Sequence, residues 1–138
     1  MRLLGLLLGL VFTVSLVAGQ GAIGVMFMDD PSPGVLAHFG GVDAGAVVME
    51  TAENGPAAKA GLRLGDVVIA VNGKRVATFD DLSKHLGVLE PGTQVEITYR
   101  RHKEKAEGHD ETTVKVDVVD RETFWKAELE QQDADEKP

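Results

Sequence analysis

Between Asn54 and Gly73 the chain reads NGPAAKAGLRLGDVVIAVNG, and few arrangements accept that order of signals. Pro56 suits the first turn of a helix, where its missing N–H is no loss. Ala57 to Ala60 continue a short helix, and Gly61 stands where a left-handed residue stops one. Leu62 then packs inward. Gly65-Asp66 opens the apolar run Val67-Val68-Ile69-Ala70-Val71, a buried strand. Asn72-Gly73 is a tight-turn signal between strands, and Val76 begins the return. The segment therefore demands a strand with a one-turn helix packed on it, within a mixed α and β surrounding.

The rest of the chain supplies that surrounding. Residues 22–28, AIGVMFM, form an apolar run bounded by Gly21 and Asp29-Asp30, the pattern of a buried strand. The turn cluster DDPSPG at 29–34 stops it. Val35, Leu36 and Phe39 allow one or two helical turns, ended by Gly40-Gly41. Ala46–Met49 reads as a second strand. Thr78-Phe79-Asp80-Asp81 resembles a capping box with Asp in the acidic place. Phe79, Leu82 and Leu86 fall on one face of a helix that Glu90-Pro91-Gly92 ends. Val95, Ile97 and Tyr99 alternate with polar residues, a half-buried strand. Residues 101–111 read as a charged connector with Gly108 at its turn, and Val114, Val116 and Val118 alternate in a last strand. From Asp120 the expectation is a short helix carrying Phe124-Trp125, then a disordered acidic end. This gives a small α+β domain, a partly open barrel or sandwich of five to six strands with two helices.

The first nineteen residues stand apart. Arg2 precedes an apolar stretch from Leu3 to Val17, and Val17-Ala18-Gly19 offers small residues for cleavage before Gln20. That is the layout of a secretory signal. The alternatives are a retained anchor and a buried helix. An apolar helix of that length spans about 22 Å at about 1.5 Å per residue, short for a hydrocarbon core of about 30 Å. The organisation expected is a signal over 1–19, one domain over 20–120 and an acidic tail over 121–138.

Composition narrows the function. Fourteen basic against 22 acidic residues leave a net charge of −8, which disfavours nucleic acid and anionic lipid. With no cysteine there is no disulfide framework, thiol nucleophile or cysteine zinc site. The serines are Ser15, Ser32 and Ser83. Ser15 lies in the signal, Ser32 between prolines, and Ser83 mid-helix without the glycine elbow of a nucleophile. His102 and His109-Asp110-Glu111 have no metal-ligand spacing. No enzymatic activity, metal or cofactor is expected.

The stretch from Asn54 to Val68, with Val71-Asn72-Gly73-Lys74-Arg75-Val76 after it, resembles a PDZ domain of the bacterial Deg/HtrA type. That family often writes G-S-P-A-A-x-A-G-L-x-x-G-D-x-I here. This chain has Asn54-Gly55 before Pro56 and no Ser. Phe79, Asp81 and Leu82 resemble the start of its second helix, and Glu90-Pro91-Gly92-Thr93 its exit. The likeness covers about residues 21–119. The trypsin-like domain of the Deg proteases is not found in the sequence.

PDZ domains bind an extended peptide, usually a C-terminal tail, as an added strand. The resemblance implies that Gly21, Ala22, Ile23, Gly24 and Val25 form the loop receiving the terminal carboxylate. It makes Met26, Phe27 and Met28 the strand edge, and Leu82, His85, Leu86 and Leu89 the helical wall. Residues 22–28 could instead be a plain core strand, and His85 an exposed helix residue. The implied function is capture of C-terminal or extended segments of bacterial envelope proteins, as adaptor or regulator of a protease or secretion system. The protein would be periplasmic or secreted, or membrane-anchored if residues 3–17 are retained. The alternative is a docking part that uses Phe124 and Trp125 as interface anchors.

Overall fold

A computed structural model describes residues 21–136, so the signal expected over 1–19 lies outside the described residues. The strands are β1 (Gly21–Ala22), β2 (Val25–Phe27), β3 (Ala46–Thr51), β4 (Val67–Val71), β5 (Lys74–Arg75), β6 (Gln94–His102), β7 (His109–Asp117) and β8 (Val119–Asp120). The helices are α1 (Pro33–Gly40), α2 (Pro56–Lys59), α3 (Phe79–Gly87) and α4 (Arg121–Glu136). One antiparallel sheet runs β2-β3-β4-β6-β7 with β5 on β4, and β1 pairs with β8 in a separate ladder. The architecture is open α+β rather than a closed barrel. The described residues hold four helices, each where the sequence carries a helical signal, although the fold expected counted two.

The sheet is sandwiched, and this explains the run VVIAV. Val68 and Val71 face a core shared with Ile23, Leu62, Leu82, Leu86, Val95 and Ile97. Val67 faces a smaller cluster with Leu36 and Val47, joined by Met28, Phe39 and Ile69. A strand covered on both faces cannot alternate apolar with polar residues. Each Val or Leu so enclosed contributes about 1.5–3 kcal/mol.

The expected punctuation holds. Ser32 Oγ accepts from Val35 N at 3.3 Å and starts α1, and Gly41 closes it in the left-handed region. Gly61 follows α2 at φ +97°. Asn72 and Gly73 have φ of 50° and 78°, the twist that a two-residue hairpin needs. Thr78 Oγ1 accepts from Asp81 N at 3.1 Å, so Thr78 caps α3 as expected, while Asp81 Oδ2 reaches back one residue further, accepting from Ala77 N at 3.1 Å rather than from the cap residue's own amide.

Three stretches differ from expectation. The run 22–28 is two strands, because Gly24 sits at φ +77° and breaks the extended chain. The connector at 101–111 shrinks to 103–108, since β6 and β7 pair in register from Gln94↔Asp117 to His102↔His109. Arg100 to Glu111 at 3.2 Å and the Thr98–Thr113 hydroxyl pair at 2.9 Å join charged and polar residues across the ladder. The terminal helix runs from Arg121 through Glu136. Its first turn is capped by Asp120, whose Oδ2 accepts from Thr123 N at 2.9 Å, and its body is rich in helix-forming Glu, Ala, Lys and Gln.

Candidate functional site

The strand β2 ends the main sheet, pairing with β3 on one side. Gly24 O accepts from Ala52 N at 2.9 Å and Met28 N donates to Val47 O at 2.8 Å, so both turn toward β3. The bulge in this ladder takes in Met49 of β3, leaving β2 itself regular. Alternation then turns the N–H and C=O of Val25 and Phe27 to the open edge.

Helix α3 lies beside that edge. Phe27 and Phe79 meet with ring centroids 5.5 Å apart, which joins the end of β2 to the first turn of α3. At the other end Gly21 passes so close to α3 that a Cβ there would lie 2.6 Å from Leu86 O and 2.8 Å from Leu89 O. Glycine is required by that approach. Strand edge and helix thus flank a groove headed by residues 23–25.

The head of the groove is a tied loop. Ile23 O accepts from Ala57 N at 3.0 Å, and Gly24 O from Ala52 N at 2.9 Å. With both carbonyls held to the scaffold, the N–H groups of Ile23 and Gly24 donate to no backbone acceptor among the described residues. Successive free amides around a left-handed residue form an anion-binding concavity. The loop offers dipoles rather than a charged side chain.

The sequence-derived residues divide between this loop, the edge and the core. Gly21 and Ala22 are buried in the β1–β8 ladder, paired with Asp120 and Val119. Ile23 is buried in the core and Val25 packs half-buried on it. Met26 is exposed, Phe27 is half-buried, and Met28 belongs to the cluster under α1. Leu82 is wholly enclosed and Leu86 nearly so, which makes them the floor beneath the groove. Leu89 is half-buried against the same core.

His85 is half-buried on α3. Six residues after Phe79, at about 100° per residue, it is turned about 120° from the ring that meets β2. The flank toward β2 belongs to Phe79 and to Ser83, four residues on. The apolar stripe announced Phe79; nothing in the sequence marked Ser83. A third residue is Phe124 of α4. Its ring lies where a Cβ on Gly24 would be 3.1 Å from Cζ, and one on Gly55 3.0 Å.

A family model described as PDZ domain matches residues 21–119. The chain belongs to the PDZ domain family. Among similar proteins is a DegP-like periplasmic serine endoprotease of Pseudomonas fulva, 44% identical over 54 residues, 39% of this chain and 11% of that protein. The HtrA-type protease AlgW, solved with a decapeptide, superposes with a TM-score of 0.60 at 23% identity, over 74% of this chain and 30% of that one. The HtrA3 PDZ domain, bound to the phage-derived ligand FGRWV, gives a TM-score of 0.55 at 22% identity, over 71% of this chain and 84% of that one. The PDZ chain described here thus spans about a tenth of the Pseudomonas protease's length.

Two features steady the PDZ fold around its groove. Asp66, 1% exposed, receives Arg101 Nε and Nη2 on its two oxygens, both at 2.7 Å, and Arg63 N at 2.8 Å. Arg101 also donates to Gly61 O at 2.7 Å, and its hydrogen bond to Asp66 raises the guanidinium above its ordinary value. The Asp120 carboxyl is held below its ordinary value by hydrogen bonds from Thr123. Among the described residues no helix is long and apolar enough to cross a membrane.

Proposed function

We propose that this protein is a non-enzymatic PDZ module that captures C-terminal or extended segments of other proteins by strand addition. The observation that carries the reading is the open edge of β2 beside α3, headed by a loop whose Ile23 and Gly24 amides are uncommitted among the backbone bonds. A ligand strand would exchange main-chain bonds with Val25 and Phe27 and place its carboxylate at the loop. Its last side chain would enter between Ile23, Val25 and Leu86. Each main-chain bond contributes about 1 kcal/mol net, and one buried apolar side chain about 2. Several together suit micromolar affinity, about −8 kcal/mol.

The relatives lend support. The AlgW and HtrA3 structures hold peptides, and the Pseudomonas relative is periplasmic. We place this chain in the bacterial envelope, with residues 1–19 as its address, and in the service of a protease or secretion system as adaptor or regulator. Ser32 caps α1 and Ser83 sits in the middle of α3, and neither has the setting of a nucleophile. The docking alternative is weakened because Phe124 already packs on the domain's own loop.

Backbone methylation tests the strand mode. An apolar-ended hexapeptide is methylated at one amide at a time, and affinity is read by fluorescence anisotropy. Strand addition loses binding at alternate amides only. Equal tolerance at every position would rule it out.

A further inference from the structure

The contact between Phe124 and Gly24 joins two parts that the sequence keeps a hundred residues apart. A Cβ built on Gly24 would stand 3.1 Å from Phe124 Cζ and 3.4 Å from Pro56 Cδ, and one on Gly55 3.0 Å from the same ring atom, so the ring fits closely against both glycines. One ring is thus wedged between the loop at the groove head and the start of α2. The wedge is anchored on both sides. β8 runs straight into α4 and β1 runs straight into the loop, and these strands pair with each other, Gly21↔Asp120 and Ala22↔Val119. Asp120, the residue paired with Gly21, also caps α4 through Thr123 N at 2.9 Å. Trp125 packs edge-on against Phe124 with centroids 5.4 Å apart, limiting the ring's freedom.

A glycine loop has many conformations to lose, and fixing it costs conformational entropy. A loop already held in the receptive shape does not meet that cost when a ligand arrives. The two carbonyl bonds of Ile23 and Gly24 fix one side of the loop. The ring of Phe124 covers the Cα of Gly24, where no side chain can do so.

We propose that α4 is part of the carboxylate-binding unit, with Phe124 as a positioning residue that holds the Gly24 loop receptive. This rests on the groove reading above and adds a regulatory consequence. Anything that displaces α4 loosens the loop, and by linkage a bound C-terminus tightens α4 on the domain.

The test uses the protein with Phe124→Ala and Phe124→Leu, and one apolar-ended hexapeptide as free acid and as amide. Affinities are measured by titration calorimetry, folding by thermal melting, and amide exchange of residues 23–25 without peptide. The expected result is that Phe124→Ala lowers the acid-to-amide affinity ratio about tenfold and speeds exchange at Ile23 and Gly24. Phe124→Leu, which refills the space, should restore most of the ratio. A merely structural role would lower the melting temperature and leave the ratio unchanged. A ratio within twofold of the parent in a folded Phe124→Ala overturns the inference and leaves the groove reading standing. A parent protein that binds acid and amide equally overturns both.

Discussion

Single backbone angles decide where the groove begins. Gly24 at φ +77° ends one strand and starts the next, and its missing side chain makes room for Phe124. Gly24→Ala should destabilise the fold by about 1–3 kcal/mol through the strained angle and the crowded ring, read by urea denaturation. The buried Asp66 is held by the forked Arg101. Arg101→Ala leaves that carboxylate enclosed without its cation and should cost about 3 kcal/mol. The pair Asp66→Asn with Arg101→Met should recover a large part of the loss, which a double-mutant cycle would measure. The sequence marked Gly65-Asp66 by its likeness to the family but could not name Asp66's partner. Arg101 stands 35 residues on, in a stretch read as connector, and charge alone does not say which residues meet across a sheet. The resemblance put Gly24 in a loop, but the residue pattern alone hid its angle, since an apolar run looks the same whether or not one glycine turns it.

Elements were more legible where their signals repeat. The stripe Phe79, Leu82, Leu86 with a cap at Thr78 identified α3, and its two Leu residues are buried as such a stripe requires. Leu82→Ala should cost about 2–5 kcal/mol, visible as a lower denaturation midpoint. What periodicity could not settle was which flank of α3 faces β2. His85 and Ser83 are both half-buried there, and the contact of Phe79 with Phe27 picks the Ser83 flank. Strand lengths were underestimated where polar pairs close a ladder, as in the outer half of β6 and β7. Helix α4 depends on its cap at Asp120, whose folded value lies below the ordinary 3.8. A lowered carboxyl stabilises in its ionised form. The contribution is therefore complete above pH 3.8 and is lost as the pH falls through the lower folded value. The Thr123 amide should move only as the pH falls through the lowered folded value, below the ordinary 3.8, and Asp120→Asn should remove that titration.

At the scale of the whole molecule, an open sheet edge is a liability unless something is meant to occupy it. Here the edge is short, flanked by α3, and headed by a loop that α4 braces from outside. Strands β3 and β4 are covered on both faces and back the edge strand with a rigid layer. The acidic surface disfavours acidic ligands and leaves recognition to amides and apolar floor. The most direct measurement is a two-dimensional NMR titration with apolar-ended peptides, each as free acid and as amide. Shifts confined to Ile23–Met28 and the Phe79–Ser83 flank of α3, lost on amidation, are the expected result. A folded protein whose spectrum no peptide moves, or one in which acid and amide act alike, would contradict carboxylate capture at this groove.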